Sequence, residues 1–209
     1  MRSIKKHIAL SVLHHFPDRA GVIMMGMHRH FEMIAPDIAF AATSTNPLDK
    51  RMEVCGWILA LIKTLDASGT SYEDILKVCQ DIATNYVQPK NRLHRAIKKL
   101  PARWAGSWLA NFLFRRLGHK VSKRSHPDGF SVVIHTDPKI TYGLGFGFDI
   151  LECGICKLFN RHHLERYTSI LCEVDKITSE MAGLKLIRKS TIAMGADKCD
   201  FRYQKLDRS

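Results

Sequence analysis

Four of the six cysteines fall in the last third of this 209-residue chain: Cys153, Cys156, Cys172 and Cys199. Cys55 and Cys79 sit inside apolar helical patterns and read as core. Cys153-Gly154-Ile155-Cys156 is a CxxC, with His162 and His163 six and seven residues beyond Cys156. Two thiolates at that spacing can grip a tetrahedral zinc ion, and imidazole can complete the set. A structural zinc site usually shows a second tight ligand pair, however, and Cys172 and Cys199 are single and widely spaced. No βαβ pattern surrounds the CxxC, which argues against a thioredoxin-like redox pair. The remaining reading is small residues at a strand-to-helix corner, and the sequence leaves a metal at Cys153 and Cys156 open. Cys172 and Asp175 are three apart on a predicted helix and share a face. A carboxylate beside a thiol raises the thiol pKa, so a simple Cys–His nucleophile is not written here. His28 and Glu32 also share a helix face, but nothing nearby completes a ligand set.

The C-terminal segment is more specific. Leu171-Cys172-Glu173-Val174-Asp175 is followed by Arg188-Lys189-Ser190-Thr191, by Gly195, and by Cys199-Asp200-Phe201-Arg202. Over about residues 130–205 this resembles the L-2-amino-thiazoline-4-carboxylic acid hydrolase family, and Cys153 also looks like a family position. The closing Gly-x-x-x-Cys-x-Phe is similar to the end of vinyl-reductase-type small-molecule-binding domains, so part of the motif can be architecture. Residues 1–128 match only in being helical. The resemblance implies hydrolysis of a cyclic amidine-like C–N bond, the thiazoline ring opening to a carbamoylated cysteine. That chemistry needs a water, a base to activate it, a proton for the ring nitrogen and a cation for the substrate carboxylate. It makes Cys172, Asp175 and Cys199 the catalytic candidates and Arg188, Thr191 and Asp200 the substrate-binding ones. Arg188 is the natural bidentate partner for a carboxylate. Asp175 either activates water or binds the amidine. Cys172 or Cys199 either attacks the amidine carbon or only lines the site. Asp200 orients Arg188 or Arg202. The expected substrate is a small anionic heterocycle, with no cofactor and no metal.

Charge suggests a competing reading. The net charge is +12, and no acidic residue lies between Asp81 and Asp128. That stretch carries Lys90, Arg92, Arg95, Lys98, Lys99, Arg103, Arg115, Arg116, Lys120, Lys123 and Arg124, with Trp104, Trp108, Phe112 and Phe114 among them. Such a segment suits a non-enzymatic small-molecule-binding or regulatory module that docks on nucleic acid or an anionic membrane. No recognised nucleic-acid-binding motif accompanies it, so weak, salt-sensitive polyanion binding is the expectation. No apolar run reaches the roughly 18–20 residues of a membrane span. No signal-like apolar stretch follows the basic N-terminus. The expectation is a cytoplasmic protein, with homo-oligomerisation open.

The elements that must position these residues change character along the chain. Ile4, Ile8, Val12 and Phe16 recur at helical spacing up to Pro17, and a methionine-rich helix follows to about Ile34. Residues 49–66 predict an apolar helix, and Ser71 caps another running to about Tyr86. A short basic helix lies between Pro89 and Pro101, and one from Trp104 to Leu117 stops at Gly118. After Asp128-Gly129 the pattern becomes strand-like. Residues 130–136 are rich in β-branched side chains, and 142–149 alternate apolar residues with glycines, so something packs closely on the glycine face. Helices at about 155–166 and 169–182 and strands at 185–193 and 199–205 complete the chain. The expected fold is α+β: a helical N-terminal half packed on a C-terminal antiparallel sheet with two helices. Its regions are 1–128, with the basic segment 88–124, and 129–209, together one compact unit.

Overall fold

Apolar residues one helical turn apart make the first element. In the computed structural model, which describes residues 4–88, 107–122 and 125–206, helix α1 (Ile4–His15) buries Ile4, Ile8 and Val12. Pro17 breaks the pattern, and α2 (Ala20–Ile38) follows. α2 lies against α3 (Arg51–Ala67). Glycines permit the close approach. A Cβ on Gly56 would sit 2.6 Å from Ile38 Cδ1, and one on Gly26 would sit 2.8 Å from Thr64 Cγ2. Ser71 caps α4 (Tyr72–Val87), its Oγ accepting the Asp74 backbone N–H at 3.2 Å. The basic helix expected between Pro89 and Pro101 lies outside the described residues. Helix α5 (Trp108–Val121) runs through Gly118 instead of stopping there. One glycine weakens a helix by only about 1 kcal/mol, and packing of α5 on the first strand outweighs that.

The C-terminal half supplies β1 (Ser131–His135), β2 (Gly147–Glu152), β3 (Leu184–Ile187) and β4 (Cys199–Lys205), with α6 (Gly154–Arg161) and α7 (Thr168–Met181) between β2 and β3. The sheet is antiparallel in the order β1-β2-β4-β3. The fold is therefore α+β, as the sequence pattern implies.

Two expected strands are shorter than read. The alternating run from Tyr142 pairs only from Gly147, because Tyr142, Gly143 and Gly145 take φ of 52°, 79° and 69° and turn the chain. Gly147 is the glycine with a close neighbour: a Cβ there would lie 2.9 Å from both Arg202 Cδ and the Phe201 carbonyl oxygen. The strand expected over 185–193 ends at Ile187. Asp200 Oδ1 takes the Lys189 and Ser190 backbone N–H groups at 2.9 and 2.6 Å, which removes them from the ladder. A 3₁₀ turn from Ile192 to Met194 then carries the chain into Gly195, at φ 86°.

One apolar cluster joins the halves, from Ile8, Leu61 and Ile82 to Phe159, Ile170 and Phe201. The α4–α7 contact is the main bridge. A polar strap fixes the start of α3: Asp49 Oδ1 accepts the Phe130 N–H at 2.9 Å, and Asn46 Nδ2 donates to the Phe130 carbonyl at 2.9 Å. Gly129 leaves the room for Asp49, whose Oδ1 would lie 2.7 Å from a Cβ there. No helix among the described residues is long and apolar enough to cross a membrane.

Candidate functional site

Helix α7 turns one face, Leu171, Val174, Asp175 and Thr178, toward a cavity of about 250 Å³. The spacing is i, i+3, i+4, i+7, the stripe of an amphipathic helix, with a carboxylate set into it. The opposite wall is α3, which contributes Arg51, Val54, Cys55 and Ile58 at the same spacing. α4 adds Cys79 and Ile82, and Ile155 of α6 closes one side. Charge in this apolar enclosure comes from Asp175 and Arg51 alone among its lining residues.

Asp175 is held from behind. Arg188 Nη1 donates to Asp175 Oδ2 at 3.2 Å, and Arg188 Nη2 donates to the Cys172 carbonyl at 2.9 Å. The guanidinium also lies 5.0 Å over the Phe201 ring, a favourable cation–π placement. With a side chain only 6% exposed, Arg188 fixes the carboxylate, while the 25% exposure of the Asp175 side chain opens onto the cavity. Burial pushes the Asp175 carboxyl above its ordinary value, against the pull of Arg51 and Arg188. A carboxyl raised in this way, yet reachable from a cavity, is a stronger base when ionised than an ordinary carboxylate.

The thiols are electrostatically quieter. Burial pushes Cys172 and Cys55 up to about 12, and Asp175 adds to the rise at Cys172. Burial also raises Cys199, whose Sγ accepts the Ile192 N–H at 3.2 Å. All three are therefore protonated thiols at neutral pH, poor nucleophiles without further activation. Cys153 forms the N-cap of α6, immediately after β2 ends. That is the strand-to-helix corner inferred for the CxxC. A thiol hydrogen bond from Cys156, joined by the Cys156 and Ile155 backbone N–H groups, holds Cys153 below its ordinary value despite burial. The same shared proton raises Cys156. Gly154 is required at the corner, since a Cβ would lie 2.8 Å from the Asp128 carbonyl oxygen. Among the described residues, no group of three or more His, Cys, Asp or Glu side chains could hold a metal ion.

The six residues singled out in the sequence divide accordingly. Cys172, Asp175, Arg188 and Cys199 converge between α7 and the helix-facing side of β4, with Cys172 giving Arg188 its carbonyl rather than turning its thiol into the cavity. Thr191 is buried nearby, its Oγ1 without a hydrogen-bond partner. Asp200 alternates to the other side of β4, where it braces Lys189 and Ser190. It orients neither Arg188 nor Arg202. Asp149, directly across the β2–β4 pairing, holds Arg202 at 2.8 Å and Lys198 at 2.6 Å. Burial raises the Asp149 carboxyl, but Lys198, Arg202 and His135 outweigh it and keep the group ionised, below its ordinary value. Arg202 is thus a sheet clamp, and its Nη1 and Nε donate to the Phe148 and Ile140 carbonyls as well.

Arg51 was not singled out in the sequence. Its signal was there: a cation in register with the apolar face of α3, in a first turn where the helix dipole disfavours positive charge. A residue that opposes its element in two ways at once is a candidate for function.

In comparisons with known proteins, residues 53–203 match the family model described as L-2-amino-thiazoline-4-carboxylic acid hydrolase. No curated protein and no solved structure matches the chain.

Proposed function

The chain belongs to the L-2-amino-thiazoline-4-carboxylic acid hydrolase family, and we propose on that premise that it is a hydrolase which opens a cyclic amidine-like C–N bond. The observation that supports this most is the Asp175 carboxyl, buried, oriented by Arg188 and facing the same cavity as Arg51. Ionised Asp175 takes a proton from water as the water oxygen bonds to the amidine carbon and the C=N π pair moves onto the ring nitrogen, which then receives that proton from Asp175. Asp175 next takes the hydroxyl proton of the tetrahedral intermediate as the carbonyl forms and the remaining C–N bond breaks. It delivers this second proton to the departing nitrogen, so that both protons of one water end on the amine and the carboxylate is regenerated. For 2-amino-thiazoline-4-carboxylate the product is a carbamoylated cysteine.

Arg51 is the cation that meets the substrate carboxylate, because Arg188 is already committed to Asp175 and to the Cys172 carbonyl. Cys172 and Cys199 serve as lining, since burial keeps both protonated. Asp200 and Thr191 support the β3–β4 connection behind the site.

Incubation of the purified chain with 2-amino-thiazoline-4-carboxylate, followed by mass spectrometry, tests the reading. The expected product is heavier than the substrate by one water, and Asp175→Asn lowers its rate of formation by about 10²–10⁴-fold. Unchanged substrate, or an Asp175→Asn variant as fast as the parent, overturns it.

A further inference from the structure

A second space adjoins the cavity beside Asp175. A groove of about 740 Å³ shares Ile4, Arg51, Val54 and Tyr86 with it, so Arg51 stands at the junction of the two. Beyond the junction the groove is walled by Phe31, Ala35 and Ile38 of α2 and by the alanines that follow that helix. Its other charged residues, Lys50 and Glu53, lie on α3 and just before it.

An aminothiazoline carboxylate is polar over most of its surface and engages Asp175 and Arg51. It leaves the groove empty and meets inner walls that are mostly aliphatic. Resting on the hydrolase reading above, we infer that the substrate of this chain carries an apolar arm: an amidine-type ring with its carboxylate at Arg51 and a hydrocarbon substituent lying along α2.

Three observations support this occupant. The charges are complementary, a carboxylate facing the ring and a guanidinium facing its acid group, with apolar wall beyond. The groove adjoins the site and shares four lining residues with it. Its α2 walls also precede residue 53, where the family match begins, whereas Asp175 lies inside the match. Asp175 thus lies within the matched span, whereas Arg51 and the arm-binding α2 wall lie before it.

The test is a chain-length series. Affinities are measured calorimetrically for 2-amino-thiazoline-4-carboxylate and for its 5-butyl and 5-hexyl derivatives, whose arm leaves the ring beside the carboxylate. A parallel series of straight-chain carboxylates from butanoate to decanoate is measured in the same way. Each buried methylene typically tightens binding several-fold, so the hexyl compound is expected to bind at least about 100-fold more tightly than the parent ring. Ala35→Trp fills the groove and abolishes that gain. A melting curve shows whether the variant is folded, and the wild-type series stands without it. Affinity that is flat or falls with chain length in both series overturns the proposal, even if the parent ring is hydrolysed. Chain-length gain for the carboxylates, with no binding of any thiazoline, upholds the apolar arm and refutes the hydrolase reading.

Discussion

The proposed mechanism gives Asp175 and the two arginines separable duties, which kinetics would distinguish. If Arg188 orients the base, Arg188→Lys keeps the charge, loses the fork and the seat on Phe201, and lowers kcat by about 10²-fold with KM little changed. If Arg51 meets the substrate acid, Arg51→Gln raises KM and spares kcat. A KM effect at Arg188 would return it to the carboxylate-binding role that the family resemblance implies. The acid limb of the kcat/KM profile should lie above the ordinary carboxylate range, because burial raises Asp175, and it should rise further in Arg188→Lys as a stabilising contact to the ionised form is weakened. Cys172→Ser and Cys199→Ser should each retain turnover within about tenfold, since neither thiol is ionised at neutral pH. The sequence showed Asp175 through its spacing from Cys172 and showed Arg188 as a cation. It did not show that the two bond each other, because that pairing depends on where β3 ends. Arg51 escaped notice because it lies more than 100 residues from the motif that drew attention.

At the scale of elements, what was legible was what periodicity controls. α1, α3, α4 and α7 lie close to their expected bounds, since apolar spacing and the Ser71 cap are local signals. The strand ends were not legible. β3 stops where the carboxylate of Asp200, ten or more residues away, captures two backbone N–H groups. β2 starts late because Tyr142, Gly143 and Gly145 take positive φ and turn the chain before Gly147. α5 passes through Gly118 because a tertiary contact overrides propensity. The glycine corners provide the test at this scale. Gly154→Ala drives a Cβ against the Asp128 carbonyl oxygen and Met52 Sδ, at 2.8 and 3.0 Å. It should destabilise the protein by about 1–3 kcal/mol in urea titration. Because Ile155 of α6 lines the cavity, activity should fall with it. A neutral Gly154→Ala would show that the corner can relax.

Over the whole molecule, a continuous core and a raised carboxyl govern how the protein loses its structure. The apolar cluster runs from α1 to β4, so far-ultraviolet circular dichroism and the fluorescence of Trp57, buried against Phe31 at 3.5 Å, should report one coincident unfolding transition. Asp175 contributes a pH dependence with a definite sign. Its folded pKa lies above the unfolded one, so its protonated form favours folding, and that stability is lost as pH rises from the ordinary carboxylate range through the folded value. The difference in melting temperature between wild type and Asp175→Asn should therefore shift against the wild type over that interval. A constant difference would mean that the carboxyl is not raised. Most of the basic stretch expected to serve as a docking module, residues 89–106 and 123–124, lies outside the described residues. The meeting of Arg51 from the helical half with Asp175 from the sheet half has a practical consequence. If the proposed site is the catalytic one, neither half of a partly denatured chain holds both charges in register, and catalytic titre would count intact molecules. A preparation can be graded for folding quality by turnover per mole of chain, a stricter assay than solubility or helix content.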